Sequence, residues 1–112
     1  MANRVDLESL VHRLITYTDL DRCDWKDNGN SSYRLLLSGG SIIFQSFFNI
    51  DTNDYYYKID LYDLKDRFAT YYAYDTVDDS YFSLLSNLNN SIQNYMKRVM
   101  EEKMGMLYES IG

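Results

Sequence analysis

The chain of 112 residues has no proline, one cysteine and one histidine, and each shortage excludes a class of structure or site. A single cysteine, Cys23, excludes an intrachain disulfide and therefore a disulfide-stapled scaffold. One cysteine and one histidine, His12, cannot supply the ligands of a zinc site within one chain. Without proline, the ends of helices and strands depend on glycine, asparagine and aspartate.

Basic residues are also scarce, with eleven Lys and Arg against seventeen Asp and Glu, for a net charge of −6. Neutralising phosphates requires clustered cations, so we predict no nucleic-acid partner and no anionic membrane partner. No run of apolar residues reaches the length of a membrane span, and the N-terminus lacks the apolar run of a signal peptide. We therefore expect a cytoplasmic protein.

Apolar and aromatic residues are abundant, at 46% and 16% of the chain, which is enough for one hydrophobic core at this length. We predict a single domain over residues 1–112. Apolar residues spaced three and four apart predict a first helix over about Val5–Thr18, with Asn3 as a candidate cap.

Alternating and β-branched or aromatic residues dominate the middle of the chain. Trp25 is expected to start a short first strand and to anchor the core. Four longer strands are then predicted between short turn-forming segments: Tyr33–Leu37, Ser41–Asn49, Tyr55–Tyr62 and Phe68–Tyr74. Connections this short predict an antiparallel meander.

A long closing helix is predicted after Asp78 and Asp79, two candidate caps, and Gly105 is expected to end or bend it. Its apolar stripe comprises Leu84, Leu85, Leu88, Ile92, Tyr95, Met96, Val99 and Met100. Two helices that each carry one apolar stripe need a common surface. The predicted fold is therefore an α+β two-layer sandwich, in which both helices pack on one face of a four- to five-stranded antiparallel meander.

This layout resembles a group of small bacterial proteins that consist of a leading helix, a Trp-containing hairpin, an antiparallel sheet and a closing helix. The resemblance is carried by Leu10–Thr18, Asp24-Trp25-Lys26, Tyr33–Leu37, Ile59–Asp63 and the helix from Tyr81. It implies the same fold and a bacterial or mobile-element origin, and it implies no particular site.

Residues suited to catalysis or metal binding do not form a recognisable constellation. His12 falls opposite the apolar stripe of its helix, which indicates a surface histidine. Cys23 follows Arg22, which could lower a thiol pKa, but a packed small residue beside Trp25 is the favoured interpretation. An acidic cluster lacks the glycine and closing glutamate of a calcium loop: Asp19, Asp21, Asp24 and Asp27. We predict no catalytic residue, no cofactor and no metal.

The most distinctive segment holds seven of the twelve tyrosines, between Tyr55 and Tyr74. Tyrosine and arginine are favoured at protein interfaces, and exposed apolar residues on a sheet face mark interaction sites. We therefore predict that the sheet face away from the helices binds another protein through seven residues: Arg34, Gln45, Phe47, Tyr56, Lys58, Tyr62 and Tyr71. The alternative is that tyrosine merely has a high strand propensity and tolerates a half-exposed face.

Charge suggests the kind of partner, since residues 51–79 hold eight aspartates against three basic residues and would suit a basic surface. Met104 and Met106, beyond the apolar stripe of the closing helix, leave a homodimer open. The leading hypothesis is a noncatalytic interaction domain. Two alternatives remain at this stage: a dimeric chaperone of an exported substrate, and an enzyme with an unrecognised acidic site.

Overall fold

A computed structural model describes residues 4–75 and 80–112, without the side chain of Ser80. The elements are α1 (Leu7–Asp19), β1 (Lys26–Gly29), β2 (Ser32–Leu37), β3 (Gly40–Asn49), β4 (Asp54–Tyr62), β5 (Arg67–Tyr74) and α2 (Ser80–Ile111). The strands form one antiparallel sheet in the order β1-β2-β3-β4-β5. The predicted α+β meander is confirmed, and each of the four longer strands begins one residue before its predicted start.

Helix α1 begins at Leu7 because the side chain of Asp6 caps it, accepting a hydrogen bond from the backbone N–H of Ser9 at 2.8 Å. This bond stabilises the carboxylate and lowers the pKa of Asp6. The predicted start at Val5 was therefore two residues early. Asn3, the predicted cap, and the candidate caps of the closing helix, Asp78 and Asp79, lie outside the described residues.

The core lies between the two helices and one face of the sheet. Phe44 pairs with Ile59 and Ile42 pairs with Leu61 across β3 and β4, and all four side chains are buried. Directly opposed residues of an antiparallel pair lie on the same face, so these pairs define the helix side of the sheet. Helix residues from both α1 and α2 complete one continuous core cluster: Leu7, Val11, Leu14, Leu84, Leu85, Leu88, Ile92 and Tyr95.

Trp25 is a core anchor, as predicted, although β1 begins one residue later, at Lys26. Its side chain is almost fully buried, and the indole Nε1–H donates to Oγ1 of the buried Thr18 at 2.9 Å. This hydrogen bond satisfies both buried polar groups and ties the start of the sheet to the end of α1.

Helix α2 continues through Gly105 to Ile111, so the predicted helix end at Gly105 is wrong. Gly105 does not adopt the positive φ of a helix-ending glycine, whereas Gly112 does, with φ of +93°. Every residue from Met100 onward is exposed. The prediction that Met100 belongs to the core stripe is therefore wrong, because the helix extends beyond the elements that cover its apolar face.

Candidate functional site

The register of the sheet decides which side chains lie on the open face, the face away from the helices. Along β3, Gln45 pairs with Lys58 and Phe47 pairs with Tyr56, and these residues alternate with the buried ones. Residues paired across strands share a face. The open face accordingly carries Lys26, Ser32, Arg34, Leu36, Ser41, Ile43, Gln45, Phe47, Asn49, Asp54, Tyr56, Lys58, Asp60, Tyr62, Arg67, Thr70, Tyr72 and Tyr74.

Four aromatic side chains form a row across three strands of this face, which we call the aromatic row: Phe47, Tyr56, Tyr72 and Tyr74. The ring centroids of Phe47 and Tyr56 are 4.7 Å apart with an interplanar angle of 8°. Tyr56 also stacks on Tyr74 at 5.2 Å, and Tyr74 stacks on Tyr72 at 6.3 Å. Both faces of Tyr56 are therefore covered by protein.

Rings that stack across neighbouring strands stand upright on the sheet, because the strands themselves are about 4.8 Å apart. The ring faces contact one another, and the ring edges and phenol oxygens point towards solvent. A base or sugar that binds by stacking needs an open ring face. Tyr56, which is stacked on both sides, offers no such open face.

A cluster of charged side chains lies beside the aromatic row. It surrounds the carboxylate of Asp60, whose side chain is only 5% exposed. Lys58 Nζ is 3.6 Å from one carboxylate oxygen, and Arg67 Nη1 is 3.7 Å from the other. The hydroxyl of Thr70 donates to the same carboxylate. Lys58 Nζ also lies 5.7 Å from the ring centroid of Phe47, within cation–π range. The cluster joins the charged and aromatic parts of the open face.

The charges of the open face are unlike those of the whole chain. Four cations lie on it, Lys26, Arg34, Lys58 and Arg67, against two acids, Asp54 and Asp60. Both acids are buried, so the accessible charge of this face is positive although the chain has a net charge of −6. The exposed aspartates of the acidic segment 51–79 that the structure describes lie outside the strands: Asp51, Asp63, Asp66 and Asp75.

Six of the seven predicted site residues lie on the open face: Arg34, Gln45, Phe47, Tyr56, Lys58 and Tyr62. The placement of Tyr71 on this face is wrong. Tyr71 pairs with Ile59, which is fully buried on the helix side, so Tyr71 lies on that side too. Sequence reasoning missed Tyr72 and Tyr74, the two exposed members of the aromatic row.

One signal could have placed the tyrosines of β5 correctly. In β5 the alternation of apolar and polar residues does not distinguish the two faces, because aromatic residues occupy both. The small residues Ala69 and Ala73, however, pair with the buried Leu61 and Tyr57. Small residues opposite large ones are typical of a packed layer, so the alanines mark the helix side and leave the even-numbered tyrosines on the open face.

The other residues considered for chemistry have ordinary structural partners. His12 is exposed, with Nε2 3.7 Å from a carboxylate oxygen of Glu8. Cys23 is buried, and burial raises the pKa of its thiol, which is the opposite of activation. In the acidic cluster considered for calcium, Asp21 accepts a hydrogen bond from Arg98 and Asp24 accepts one from Tyr95.

Residues 4–75 and 80–112 contain no group of three His, Cys, Asp or Glu side chains placed to hold a metal ion. In the same residues, neither helix is apolar enough over sufficient length to cross a bilayer. Comparison with protein-family models, with curated proteins and with solved structures finds no match to this chain.

Proposed function

We propose that this protein is a noncatalytic protein-binding domain and that its open face binds an acidic surface of another protein. The observation that carries the proposal is the aromatic row, which lies half-exposed beside Lys58 and Arg67. Tyrosine and arginine provide large contact area with a polar group at modest entropic cost, and they dominate the binding energy of many interfaces.

The composition of this face supports contact with a partner over contact with water alone. The solvent-facing side of an antiparallel sheet normally carries polar residues. Here Phe47 and Tyr56 lie side by side on the inner strands, and Tyr72 and Tyr74 continue the patch to the edge strand. Contiguous apolar and aromatic surface of this kind marks interaction sites.

Electrostatics supports an acidic partner surface. Arg34 and Arg67 are exposed, while the acids of the same face are buried and paired. A local positive field within an acidic molecule would orient the domain towards an acidic partner and speed their association. The revised expectation of an acidic partner replaces the basic partner that the sequence alone suggested.

The test compares three neighbouring tyrosines on opposite faces of one strand. Tagged wild-type protein and the variants Tyr71→Ala, Tyr72→Ala and Tyr74→Ala would each capture partners from a lysate of the native host, with and without nuclease. Tyr71 and Tyr72 are 42% and 51% exposed, so they form a matched pair. The affinity of the purified partner would then be measured by calorimetry.

We expect a nuclease-resistant partner whose binding weakens about tenfold or more in Tyr72→Ala and Tyr74→Ala. Tyr71→Ala should bind like wild type. Arg34→Glu should slow association with the partner. Added salt should reduce the difference in association rate between this variant and wild type. Capture that disappears with nuclease, or a partner that all three tyrosine variants retain, would contradict the proposal.

A further inference from the structure

The end of α2 carries an apolar stripe that no part of the described chain covers. We call Met100–Ile111 the α2 tail; these twelve residues extend about 18 Å at the rise of an α-helix. Five large side chains, spaced three or four apart on one helical face, are between 56% and 87% exposed: Met100, Met104, Leu107, Tyr108 and Ile111.

The projecting tail changes the shape of the molecule. The radius of gyration over Cα atoms is 15.8 Å, whereas a compact domain of about 100 residues has about 13 Å. A solvated helix end is normally polar on all sides. The α2 tail instead carries an apolar stripe of its own, rotated about the helix axis by roughly a third of a turn from the buried residues of α2. An exposed apolar stripe is typical of a helix that binds another surface.

An apolar trough lies beside α1, at the end of β2. One part, of about 330 Å³, is lined by the apolar residues Leu10, Leu14, Tyr17 and Leu37, with Cys23 at its base. A second part, of about 460 Å³, shares Leu10 and Leu37 with the first and extends to Phe68. The two parts form a continuous surface long enough to receive several side chains of a helix.

Charge complementarity links the α2 tail to this trough. Arg13 and Arg22 line the trough, and neither has an ion-pair partner within the described residues. At 100° per residue, Glu101 and Lys103 flank the two edges of the apolar stripe of the tail, whereas Glu102 and Glu109 lie on the opposite face of the helix. Glu101 is therefore the tail carboxylate placed to meet the basic rim of the trough.

Position also links the two features. Arg98, just before the tail, forms an ion pair with Asp21 at 2.8 Å and donates to the backbone oxygen of Thr18. The tail therefore leaves the body beside the end of α1, next to Arg22 and Cys23 of the trough. Because both features lie at one end of the molecule, a twofold axis at that end can bring the tail of each copy to the trough of the other.

We propose that this protein forms a twofold symmetric dimer in which each copy places the apolar stripe of its α2 tail in the trough of its partner. In such an isologous interface the contact is made twice. Five largely exposed side chains offer on the order of 100 Å² each. The buried area includes these side chains in both copies and the trough walls that they cover. It reaches roughly the 1,200 Å² at which stable interfaces begin. Methionine side chains suit an irregular trough because they are flexible.

The test measures the oligomeric state of the full chain by sedimentation equilibrium across micromolar concentrations. Leu107→Asp places a charge on the stripe, and Met106→Asp places the same charge on the adjacent residue, off the stripe; the two side chains are 68% and 63% exposed. Leu37→Asp changes the trough, and Leu36→Asp is its control on the opposite face of β2. Circular dichroism would establish that each variant is folded.

We expect a wild-type dimer, with Leu107→Asp and Leu37→Asp each raising the dissociation constant of the dimer about tenfold or more. Met106→Asp and Leu36→Asp should dimerise like wild type. A wild-type chain that is monomeric at every concentration would overturn the proposal, whether or not its tail binds a different protein. A dimer that Leu107→Asp disrupts and folded Leu37→Asp leaves intact would also overturn it, since the tails would then pair with each other.

Discussion

At the scale of single residues, the fold strongly changes the ionisation of Tyr95. Its hydroxyl donates to Oδ1 of Asp24 at 2.9 Å. Burial first, and then the neighbouring carboxylate, raise the pKa of Tyr95 to about 12. In return, the hydroxyl of Tyr95 and then Lys26 lower the pKa of Asp24. The pair holds α2 against the segment that leads into β1.

The raised pKa of Tyr95 predicts a loss of stability in alkali. An unfolded tyrosine loses its proton near pH 10. Between about pH 10 and 12 the folded chain therefore binds more protons than the unfolded one, and the free energy of unfolding falls as the pH rises. The contribution of Tyr95 is complete below pH 10 and is lost through the folded pKa, with a total on the order of 2 kcal/mol. Urea unfolding at several pH values measures it.

Tyr95→Phe removes the ionisation and should flatten this part of the pH profile. Tyr55→Phe is the control, because the Tyr55 side chain is exposed and lies outside both the open face and the α2 tail. The interpretation fails if Tyr95→Phe and wild type lose stability in parallel between pH 10 and 12.

At the scale of elements, the turn between β2 and β3 depends on Gly40. Its φ is +152°, and a Cβ built at this position would collide with the backbone carbonyl of Tyr62 on β4. The neighbouring Gly39 has open space around it. The two adjacent glycines therefore have different roles: Gly40 permits close approach of two strands, and Gly39 only completes the turn.

Gly40→Ala should lower the free energy of unfolding by roughly 2 kcal/mol or more, because the backbone of β3 or β4 must move to accommodate the methyl group. Gly39→Ala should stay within about 0.5 kcal/mol of wild type. Chemical denaturation of both variants measures the difference. Equal stability of the two would show that Gly40 does not limit the approach of the strands.

The four longer strands are elements that could be predicted from the sequence, because the alternation of residues and the positions of turn residues indicated the same segments. The side of the sheet on which each tyrosine of β5 lies could not be predicted. A slip of one residue exchanges the two faces, and Tyr71-Tyr72 gives no local preference between them. The end of α2 was missed because a glycine only weakens a helix, and a helix stops only where the backbone changes conformation.

At the scale of the whole molecule, the chain consists of a packed body with a helical extension. A variant that ends at Val99 lacks only exposed residues, so it should retain the fold. In dilute solution, where association is negligible, its thermal midpoint should be within a few degrees of the full chain. At higher concentration the full chain should gain stability that the truncated one does not, since dimerisation stabilises the folded state.

Calorimetry at two concentrations tests this prediction. A large fall of the midpoint on truncation in dilute solution would mean that the α2 tail packs on its own body. The open face and the α2 tail involve different residues, so partner binding and dimerisation can be disrupted separately. A dimer would carry two open faces and would bind a multivalent partner with increased avidity.

The sequence by itself determined the class of fold, the order of the elements and, as far as Val99, the apolar stripes by which the helices enter the core, because helical and strand periodicities are local properties of the chain. It also determined that aromatic residues would reach one open sheet face. Only the tertiary structure decided which tyrosines form the aromatic row, that the accessible charge of this face is positive, and that the apolar stripe of the α2 tail lies beyond the packed body. These properties depend on register and on the relative lengths of packed elements, and both are set by contacts between residues far apart in the chain.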